Sequence, residues 1–426
     1  MLKRVYIDNY KGYSNQFISF NRVNFFVGEN SSGKSSLINL IDTILKVQFI
    51  DFQNTNWHNQ EFEKLLSKEV NSKKRHFDVA FSDERRDIFF ERDEKGKIIE
   101  KEVQNEAYYT MYRIGQTNEG YPIIKRGYLY SPSMKLLTAF NFTSNNQVTY
   151  KAKKVNNGIS FEDFVEFSKS SSGFRKKDDR LFGGLQLPMS YLFMNAHQTY
   201  FHVPESVVTK MFSPIRSLPK STYYRSRISK YSPSGEHVPN SLATNFTSKK
   251  NLLNRLNSFG KNSGLFECIE IHNLSSSKSS PFNVNIKIDG VTSSIDQVGT
   301  GVGQVLPIVS ELISLKSACL FLVQQPELHL HPKAQSELGV FLFDELNINN
   351  DLSMIMETHS EYMIDSFRRR VAITGDTLCS LFFFSNSEGH KIVNEIAIDK
   401  NGHYSGNNLS VFREFYLKES IKNLDL

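Results

Sequence analysis

The residues with the clearest chemical meaning form one glycine-rich run, Gly28-Glu-Asn-Ser-Ser-Gly33-Lys34-Ser35. This run matches the pattern G-x-x-x-x-G-K-[ST] in full, and in such a loop successive backbone N–H groups face anionic phosphate oxygens. Lys34 would reach the β- and γ-phosphates of a nucleotide, and the Ser35 hydroxyl would be a Mg²⁺ ligand. The residues predicted to contact the nucleotide here are Asn30, Ser31, Ser32, Gly33, Lys34, Ser35 and Ser36.

The segments on either side of this run fit a phosphate-binding loop. Val23–Val27 is a largely apolar run that ends at a glycine, and residues 35–47 carry apolar side chains at helical spacing. We therefore predict a buried strand before the loop and a helix after it, with the positive end of the helix behind the phosphates. The structural alternative is a glycine turn before a helix.

A second glycine-rich run lies in the C-terminal part of the chain, Asp296-Gln-Val-Gly299-Thr-Gly301-Val-Gly303-Gln304. Its glycines alternate and come before the helical pattern Ile308–Leu315. The run therefore predicts a second helix N-terminus that binds an anion. A glycine-rich loop of purely structural origin stays open as the alternative.

Two apolar segments end in polar residues. Leu320–Val323 is followed by Gln324, Gln325, Pro326 and Glu327, and Met354–Met356 is followed by Glu357-Thr-His359-Ser360. The former segment resembles a Walker B strand that has amides where acids are expected. The latter resembles a switch-histidine segment, in which His359 senses the γ-phosphate and Ser360 caps the next helix. A structural histidine is the alternative for His359.

A histidine pair follows the Walker B-like segment. His329 and His331 alternate with leucines, which would place both imidazoles on one side of an extended chain, near Glu327. The pattern allows a metal site, but no third and fourth ligand is apparent in the sequence.

These motifs together resemble the SMC/OLD-like AAA-type ATPases of bacteria. The resemblance is strong at both ends of the chain, moderate over residues 205–300 and weak over residues 105–205. It implies an α/β fold: an ABC-type P-loop ATPase head with a mainly parallel sheet flanked by helices, an antiparallel β subdomain and a mixed insertion. The motifs that carry it are Ile7-Asp-Asn9-Tyr-Lys11-Gly12, Gly28–Ser35, Ser213-Pro-Ile-Arg216, Tyr231–Glu236, Val298–Pro307, Pro326–Pro332 and Glu357–Ser360.

The resemblance also implies ligands and partners. ATP and Mg²⁺ are the expected cofactors, and the chain is expected to form a homodimer or higher oligomer through composite ATP sites. In that family the position of Gly299, Gly301 and Gly303 holds the signature motif, which contacts the γ-phosphate bound by the opposing subunit. The segment His329–Pro332 takes the place of the D-loop at the dimer interface. Many relatives act in anti-phage defence beside a nuclease or another effector, as in Septu, PARIS, retron-linked and OLD/Gabija-type systems.

The chain departs from the family at the Walker B position. Gln324 stands where an acid supports Mg²⁺, and Gln325 stands where an acid orients the attacking water. Because glutamine cannot accept a proton from that water, the usual base is missing, and Glu327 is the nearest carboxylate that could replace it. We therefore expect slow hydrolysis, with Glu327, Gln325 and His359 as catalytic residues and Ser35 and Gln324 as Mg²⁺ ligands. Gln53 and Gln104 are both candidates for the Gln-loop residue.

The motifs divide the chain into four predicted segments. Residues 1–104 form an N-terminal ATPase lobe with the phosphate-binding loop, and residues 105–205 form a family-variable insertion. Residues 206–290 form an α+β segment that returns to the core. Residues 291–426 form a C-terminal lobe with the signature-like loop, the Walker B-like strand and the switch histidine. Since no Asp/Glu cluster follows the switch helix, we expect any cleavage to be done by a separate protein.

Composition narrows the classes of protein. The net charge of +6 is mildly basic and its basic residues are scattered, so direct DNA binding stays open. None of the three cysteines (Cys268, Cys319 and Cys379) has a metal-ligand spacing, which fits a reducing compartment. No run of about 18 apolar residues is present, so no membrane span is expected. We expect a cytoplasmic protein.

The sequence is compatible with three functions. The leading one is an ATPase that acts as an assembly scaffold or regulator of a separate nuclease or toxin in anti-phage defence. The alternative is a DNA-repair or recombination ATPase that clamps duplex DNA directly. The third, a transporter subunit, is disfavoured because the Leu-Ser-Gly-Gly-Gln signature is missing and the insertion is large.

Overall fold

A computed structural model divides the chain into two units whose segments alternate along the sequence. Unit 1 comprises Met1–Asn21, Glu29–Thr209 and Phe384–Val393, and unit 2 comprises Arg22–Gly28, Lys210–Phe383 and Asn394–Leu426. The structure describes the chain except for residues 54, 68–74, 93–97, 132–135, 143–146, 156–157, 171–174, 182–207, 227–229, 247–248, 276–279, 316–317, 376–378, 407–408, 411 and 413–426. Part of the predicted insertion, residues 182–205, thus lies outside the described residues.

The described strands and helices have the following bounds. The strands are β1 (Leu2–Asp8), β2 (Gln16–Ser19), β3 (Val23–Gly28), β4 (Phe77–Arg92), β5 (Ile98–Gln116), β6 (Pro122–Ser131), β7 (Leu136–Phe142), β8 (Gln147–Lys154), β9 (Arg175–Leu181), β10 (Val208–Phe212), β11 (Cys268–Asn273), β12 (Phe282–Ile288), β13 (Val291–Ser294), β14 (Cys319–Gln324), β15 (Leu352–Glu357), β16 (Cys379–Ser387), β17 (His390–Ile398) and β18 (Tyr404–Ser405). The α-helices are α1 (Lys34–Lys46), α2 (Phe161–Ser170), α3 (Val238–Ser241), α4 (Lys250–Ser263), α5 (Thr300–Ser314), α6 (Pro332–Ile348) and α7 (Glu361–Thr374).

Unit 1 contains the antiparallel sheet that the resemblance implied. Its strands have the order β2-β1-β4-β5-β6-β7-β8-β9, and every adjacent pair is antiparallel. Helix α2 buries Phe161, Phe164 and Val165 against apolar residues of this sheet, among them Met111 and Leu137. The expected antiparallel β subdomain is confirmed.

Helix α1 follows the phosphate-binding loop and also belongs to unit 1. The sequence predicted a helix over residues 35–47, and the observed helix runs over Lys34–Lys46. Its apolar side chains recur at helical spacing and are fully buried, which stabilises the helix by removing apolar surface from water. The buried set includes Leu37, Ile38, Leu40, Ile41 and Ile44.

Most of a seven-stranded sheet with the order β10-β14-β15-β3-β16-β17-β18 belongs to unit 2. Strands β14, β15 and β3 are parallel neighbours, whereas β17 and β18 are antiparallel, so the sheet is mixed with a parallel centre. Every residue of β3, β14 and β15 is buried, as expected for strands covered on both faces. The predicted strands Cys319–Val323 and Leu352–Met356 and the helix Glu361–Arg370 are confirmed within one to four residues of their ends.

The helices of unit 2 and a small three-stranded sheet, β11-β12-β13, complete its core. Helix α5 is apolar along most of its length, and its side chains pack in one cluster with those of β14, β15 and α6. Within the described residues, no helix combines the length and the hydropathy that a membrane span requires.

Candidate nucleotide-binding site

Three strand ends meet at one edge of the unit 2 sheet. Gln324 at the end of β14 is in register with Glu357 at the end of β15, and Glu357 is in register with Phe26 of β3. The Thr358 N–H also donates to the Phe26 carbonyl at 3.0 Å. Since β3 ends at Gly28, the phosphate-binding loop begins at this edge. The carboxyl ends of parallel strands are the usual ligand position in open α/β sheets.

Gly33 shows why the loop needs glycine. Its φ of +108° lies in the left-handed region, and an added Cβ would lie 2.6 Å from the Tyr13 hydroxyl oxygen. That hydroxyl donates to the Gly33 carbonyl at 2.9 Å, and Tyr13 is fully buried. The position is therefore closed to any side chain on two grounds.

Lys34 closes the loop on itself. It is only 3% exposed, and its Nζ donates to the Glu29 carbonyl at 2.7 Å. Ser35 is exposed, as are Asn30 and Ser31, whereas the Ser32 hydroxyl is buried and has no hydrogen-bond partner among the described atoms. The Lys34 cation is thus held by a hydrogen bond to the backbone of its own loop.

Three residues outside the motif support the loop and were not predicted to do so. Besides Tyr13, the Tyr10 hydroxyl donates to the Ser36 carbonyl at 3.3 Å, and the Lys391 ammonium donates to the Ser31 carbonyl. Tyr10 lies in the opening motif of the chain, which could have pointed to it. Lys391 lies in β17, and nothing in its local sequence indicates this contact.

The two glutamines at the end of β14 have different environments. Gln324 is 3% exposed, and its Nε2 has no hydrogen-bond partner among the described atoms. Gln325 adopts a left-handed backbone with φ of 47°, which costs about 1 kcal/mol for a residue other than glycine. Its N–H donates to the Glu357 carbonyl at 2.8 Å, which ties this turn to β15.

Glu327 and His359 lie together in the structure. The Glu327 Oε1 accepts a hydrogen bond from the His359 backbone N–H at 2.7 Å, while the His359 side chain is exposed. Burial raises the pKa of the Glu327 carboxyl above its ordinary value, although this hydrogen bond and one from Thr358 act in the opposite direction. A raised pKa makes a carboxylate a better proton acceptor near neutral pH.

Ser360 is the N-cap of α7, as predicted, because its hydroxyl accepts from the Met363 N–H at 3.0 Å.

A buried arginine that the sequence did not indicate, Arg216, donates to the Gln324 carbonyl at 2.8 Å and to the Gln325 carbonyl at 3.0 Å. Arg216 ends the segment Ser213-Pro-Ile-Arg216, which resembles the family but predicts no role for this arginine.

The second glycine run differs from its prediction. Helix α5 begins at Thr300, so Gly301 and Gly303 lie inside its first turn rather than before it. Both have a packing reason to be glycine, since a Cβ at Gly301 would lie 2.7 Å from the His329 carbonyl and one at Gly303 would lie 2.5 Å from Pro219. Gly299 is exposed and has open space around it. Their contact with a partner's phosphate stays a prediction.

The histidine pair has a structural explanation in part. His331 is the N-cap of α6, where its Nδ1 accepts from the Ala334 N–H at 3.3 Å, and His329 is exposed with φ of 65°. In the part of the chain that the structure describes, no group of three or more His, Cys, Asp or Glu side chains could hold a metal ion.

The predicted Mg²⁺ ligands supply neutral oxygens only. Mg²⁺ sites in proteins commonly use one or two carboxylates together with substrate phosphates. In unit 1 the Ser35 hydroxyl is exposed, and in unit 2 the Gln324 amide nitrogen has no partner among the described atoms. Each residue supplies a single neutral oxygen, so either one would fit the ion only when phosphate oxygens complete its shell. For the Gln-loop, Gln53 donates to Asp51 at 3.0 Å, and the Gln104 side chain lies outside the described residues.

Comparisons with known proteins show one family and two similar solved structures. A model of the AAA ATPase domain family matches residues 1–364. No curated protein matches the chain significantly in sequence. Among solved structures, the SMC head domain from Thermotoga maritima is 12% identical, with 92% of this chain and 98% of that chain covered and a TM-score of 0.39. The Smc head domain with an extended coiled coil from Pyrococcus furiosus, bound to the C-terminal domain of ScpA, is 10% identical, with 99% of each chain covered and a TM-score of 0.40.

Proposed function

Since the chain belongs to the AAA ATPase domain family, we propose that it binds ATP at Gly28–Ser35, hydrolyses it slowly, and uses the bound nucleotide to assemble with a second copy. The observation that carries this proposal is the edge of the unit 2 sheet. There β3 runs into the phosphate-binding loop, while β14 ends in the amides Gln324 and Gln325 instead of acids.

The loop provides the binding energy. When ATP binds, Lys34 exchanges the Glu29 carbonyl for phosphate oxygens, and the backbone N–H groups before α1 meet the remaining negative charge. Ser35 of the loop would hold Mg²⁺, which would supply charge neutralisation at the phosphates, and Gln324 stays a predicted ligand. The nucleotide is therefore bound mainly by the Lys34 cation and by the N–H groups at the start of α1.

Hydrolysis lacks its usual base. Gln325 can orient a water molecule through a hydrogen bond, but it cannot take up the proton. Glu327 is the carboxylate that we assign to this step, since it lies two residues after Gln325 and burial raises its pKa above the ordinary value. The His359 N–H donates a hydrogen bond to Glu327, and the His359 side chain is exposed. We assign this side chain the role of contacting the γ-phosphate.

Assembly follows from the exposed N-terminus of α5. Gly299 caps this helix, and both Gly299 and Thr300 are exposed, so this end of the helix would face a phosphate on a second copy. A ligand that binds only the assembled state stabilises that state by mass action. ATP would then act chiefly as the link between two copies.

The proposal extends to a separate effector, a nuclease or toxin that the assembly holds inactive in anti-phage defence. It is supported by the family resemblance of the motifs and by the amide pair, which favours a long-lived ATP-bound state. The alternative, a clamp on duplex DNA, is supported by the net charge of +6. ATP-stimulated DNA binding whose affinity falls steeply with salt would favour the clamp.

The central experiment measures the mass of the purified chain with and without Mg-ATP. We expect ATP to increase the mass of the wild type, and Lys34→Ala to lose both nucleotide binding and this increase. Lys64→Ala is the matched control, since Lys64 is a highly exposed lysine of the same unit. Assembly that persists in Lys34→Ala would show that ATP is not the link.

A turnover assay tests the slow-hydrolysis part separately. We expect a rate below about 1 s⁻¹, the low end of ordinary enzyme rates. A rate of several per second that disappears in Glu327→Gln would contradict slow hydrolysis and identify the base. Co-purification with the products of neighbouring genes would identify the effector, and the absence of any effector across such tests would count against the defence role.

A further inference from the structure

Arg216 is a buried cation that has few partners. It is only 2% exposed, and its guanidinium donates to the carbonyls of Gln324 and Gln325 at 2.8 and 3.0 Å. Its Nε and the second terminal nitrogen have no hydrogen-bond partner among the described atoms. Burial lowers the pKa of Arg216 to about 10, so the group stays charged at neutral pH.

Such a residue is costly to keep. A buried polar group without a partner is unfavourable for stability, and more so when it is charged. Glu327 is the negative charge that favours the charged form of Arg216, but among the described residues no ion pair within 4.0 Å joins the two side chains. The arginine is therefore not half of a salt bridge. Its role must be sought in the backbone groups to which it is hydrogen-bonded.

The backbone of Arg216 is held by helix α5. Gln304 accepts from the Arg216 N–H at 3.3 Å and donates to the Arg216 carbonyl at 3.4 Å, so one side-chain amide pairs with both backbone groups. Gln304 is 5% exposed and directly follows Gly303, whose missing side chain makes room for Pro219. The segment around Arg216 is thus fixed to the first turns of α5.

The guanidinium end holds the turn after β14. Gln325 has a left-handed backbone and donates its N–H to the Glu357 carbonyl at 2.8 Å. Two residues later, Glu327 accepts from the His359 N–H at 2.7 Å. A continuous series of hydrogen bonds therefore connects α5, through Arg216, to the turns that follow β14 and β15.

We infer that Arg216 is a positioning residue that couples the glycine-capped N-terminus of α5 to the Gln324–Glu327 turn. A displacement of α5 would move the Arg216 backbone through Gln304 and would then move the two carbonyls that its guanidinium holds. This meaning rests on the proposed function. A partner's phosphate that binds at Gly299 would displace α5, and the displacement would reach the residues assigned to hydrolysis.

The first test needs no nucleotide and measures amide hydrogen exchange in the full chain. Gln304→Met keeps the size of the side chain but removes both bonds to the Arg216 backbone. We expect it to lower the protection of the Gln325 and His359 amides about tenfold, although Gln304 bonds to neither residue. Arg216→Lys is expected to lower the same protection at least as much, because a lysine cannot hold two carbonyls with a planar fork.

Arg22→Lys is the matched control. Arg22 also donates to backbone carbonyls of unit 2, but at the amino end of the same strands. We expect it to leave the protection of Gln325 and His359 unchanged. If all three variants lower protection everywhere in proportion to their melting temperatures, Arg216 is merely structural and the inference is wrong.

A double variant tests the series itself. Because Gln304 and Arg216 act in one connection, Gln304→Met combined with Arg216→Lys should lower protection no further than Arg216→Lys alone. Additive losses would contradict the coupling. Should Arg216→Lys fail to fold, Gln304→Met still decides the question, since unchanged protection at Gln325 and His359 in that variant would overturn the inference.

The second test uses Mg-ATP and separates this inference from the proposed function. In Gln304→Met we expect the Kd for ATP to stay within about threefold of the wild type, while the ATP concentration needed for assembly rises about tenfold. A wild type that does not assemble with ATP contradicts the proposed function, whereas the exchange result still stands for Arg216. A variant that assembles like the wild type contradicts the coupling to a partner's phosphate.

Discussion

The two edges of the unit 2 sheet use arginine in opposite ways. At the amino edge, Arg22 donates to the Leu352 carbonyl at 2.9 Å and to the Leu346 and Asn349 carbonyls at 2.6 Å each. This guanidinium ties the end of α6 to the start of β15. At the carboxyl edge, Arg216 holds two carbonyls and leaves two of its buried nitrogens without a partner among the described atoms.

The contrast extends beyond the arginines. The carboxyl edge also contains the unpartnered Nε2 of Gln324, the left-handed Gln325 and the raised pKa of Glu327. Unmet polar groups, backbone strain and shifted pKa values are each unfavourable for stability and tend to gather at functional sites. The amino edge thus satisfies its polar groups, whereas the carboxyl edge leaves several unsatisfied, which supports the proposal that the carboxyl edge meets a ligand.

The largest expected effect concerns Glu327. If this carboxylate is the base, Glu327→Gln should lower the rate of ATP hydrolysis about 10²–10⁴-fold, because the amide keeps the shape but cannot accept a proton. The measurement is the turnover rate of the folded variant at saturating Mg-ATP.

Asp351→Asn is the control for that change. It makes the same replacement of a carboxylate by an amide at the amino edge, just before β15, where Asp351 is exposed. We expect its turnover to equal that of the wild type. Equal losses in both variants would remove the functional distinction between the edges.

The second effect concerns stability at the amino edge. Arg22→Met removes the guanidinium from three carbonyls and should lower the free energy of unfolding by about 3 kcal/mol, the range expected for lost hydrogen bonds to a charged group. The Kd for ATP of the remaining folded protein should not change. Denaturant unfolding and ATP titration measure the two quantities, and a large change in the Kd would show that the amino edge also serves binding.

The third effect is a pH dependence from Glu327. Because the pKa of this carboxyl is raised in the folded chain, the folded state binds its proton more tightly than the unfolded state does. Its contribution to stability is therefore fully present below the ordinary glutamate pKa and is lost as the pH rises through the raised value. Glu327→Gln should thus gain stability relative to the wild type as the pH rises. Parallel pH profiles of the melting temperature would contradict this assignment.

The smallest effect concerns backbone strain. Gln325→Gly removes the left-handed cost of about 1 kcal/mol but adds freedom to the unfolded chain, so we expect a gain in stability of about 0.5 kcal/mol or less. Gln297→Gly, at an exposed position without a left-handed backbone, should instead lose about 0.5–1 kcal/mol. A clear loss in Gln325→Gly would mean that the side chain of Gln325 contributes more than the strain costs.

Much of the fold could be predicted from local patterns. The apolar periodicity of residues 35–47 predicted α1, and the short apolar runs at Cys319 and Leu352 predicted β14 and β15. The start of α5 was predicted too late, because glycines weaken a helix and favour a loop when only the local sequence is considered. In the structure Gly301 and Gly303 lie inside the helix, and they are glycines because the His329 carbonyl and Pro219 lie where their side chains would be.

Local patterns along the chain were enough to identify the phosphate-binding loop, the order of the strand-end motifs and the absence of acids at Gln324 and Gln325. Three contacts became visible only in the folded chain: Tyr13 supports Gly33, Lys391 reaches Ser31, and Arg216 holds the turn after β14. These contacts join residues far apart in sequence, where burial and close packing select the partner. No local pattern in the sequence indicates which distant residues will be in contact.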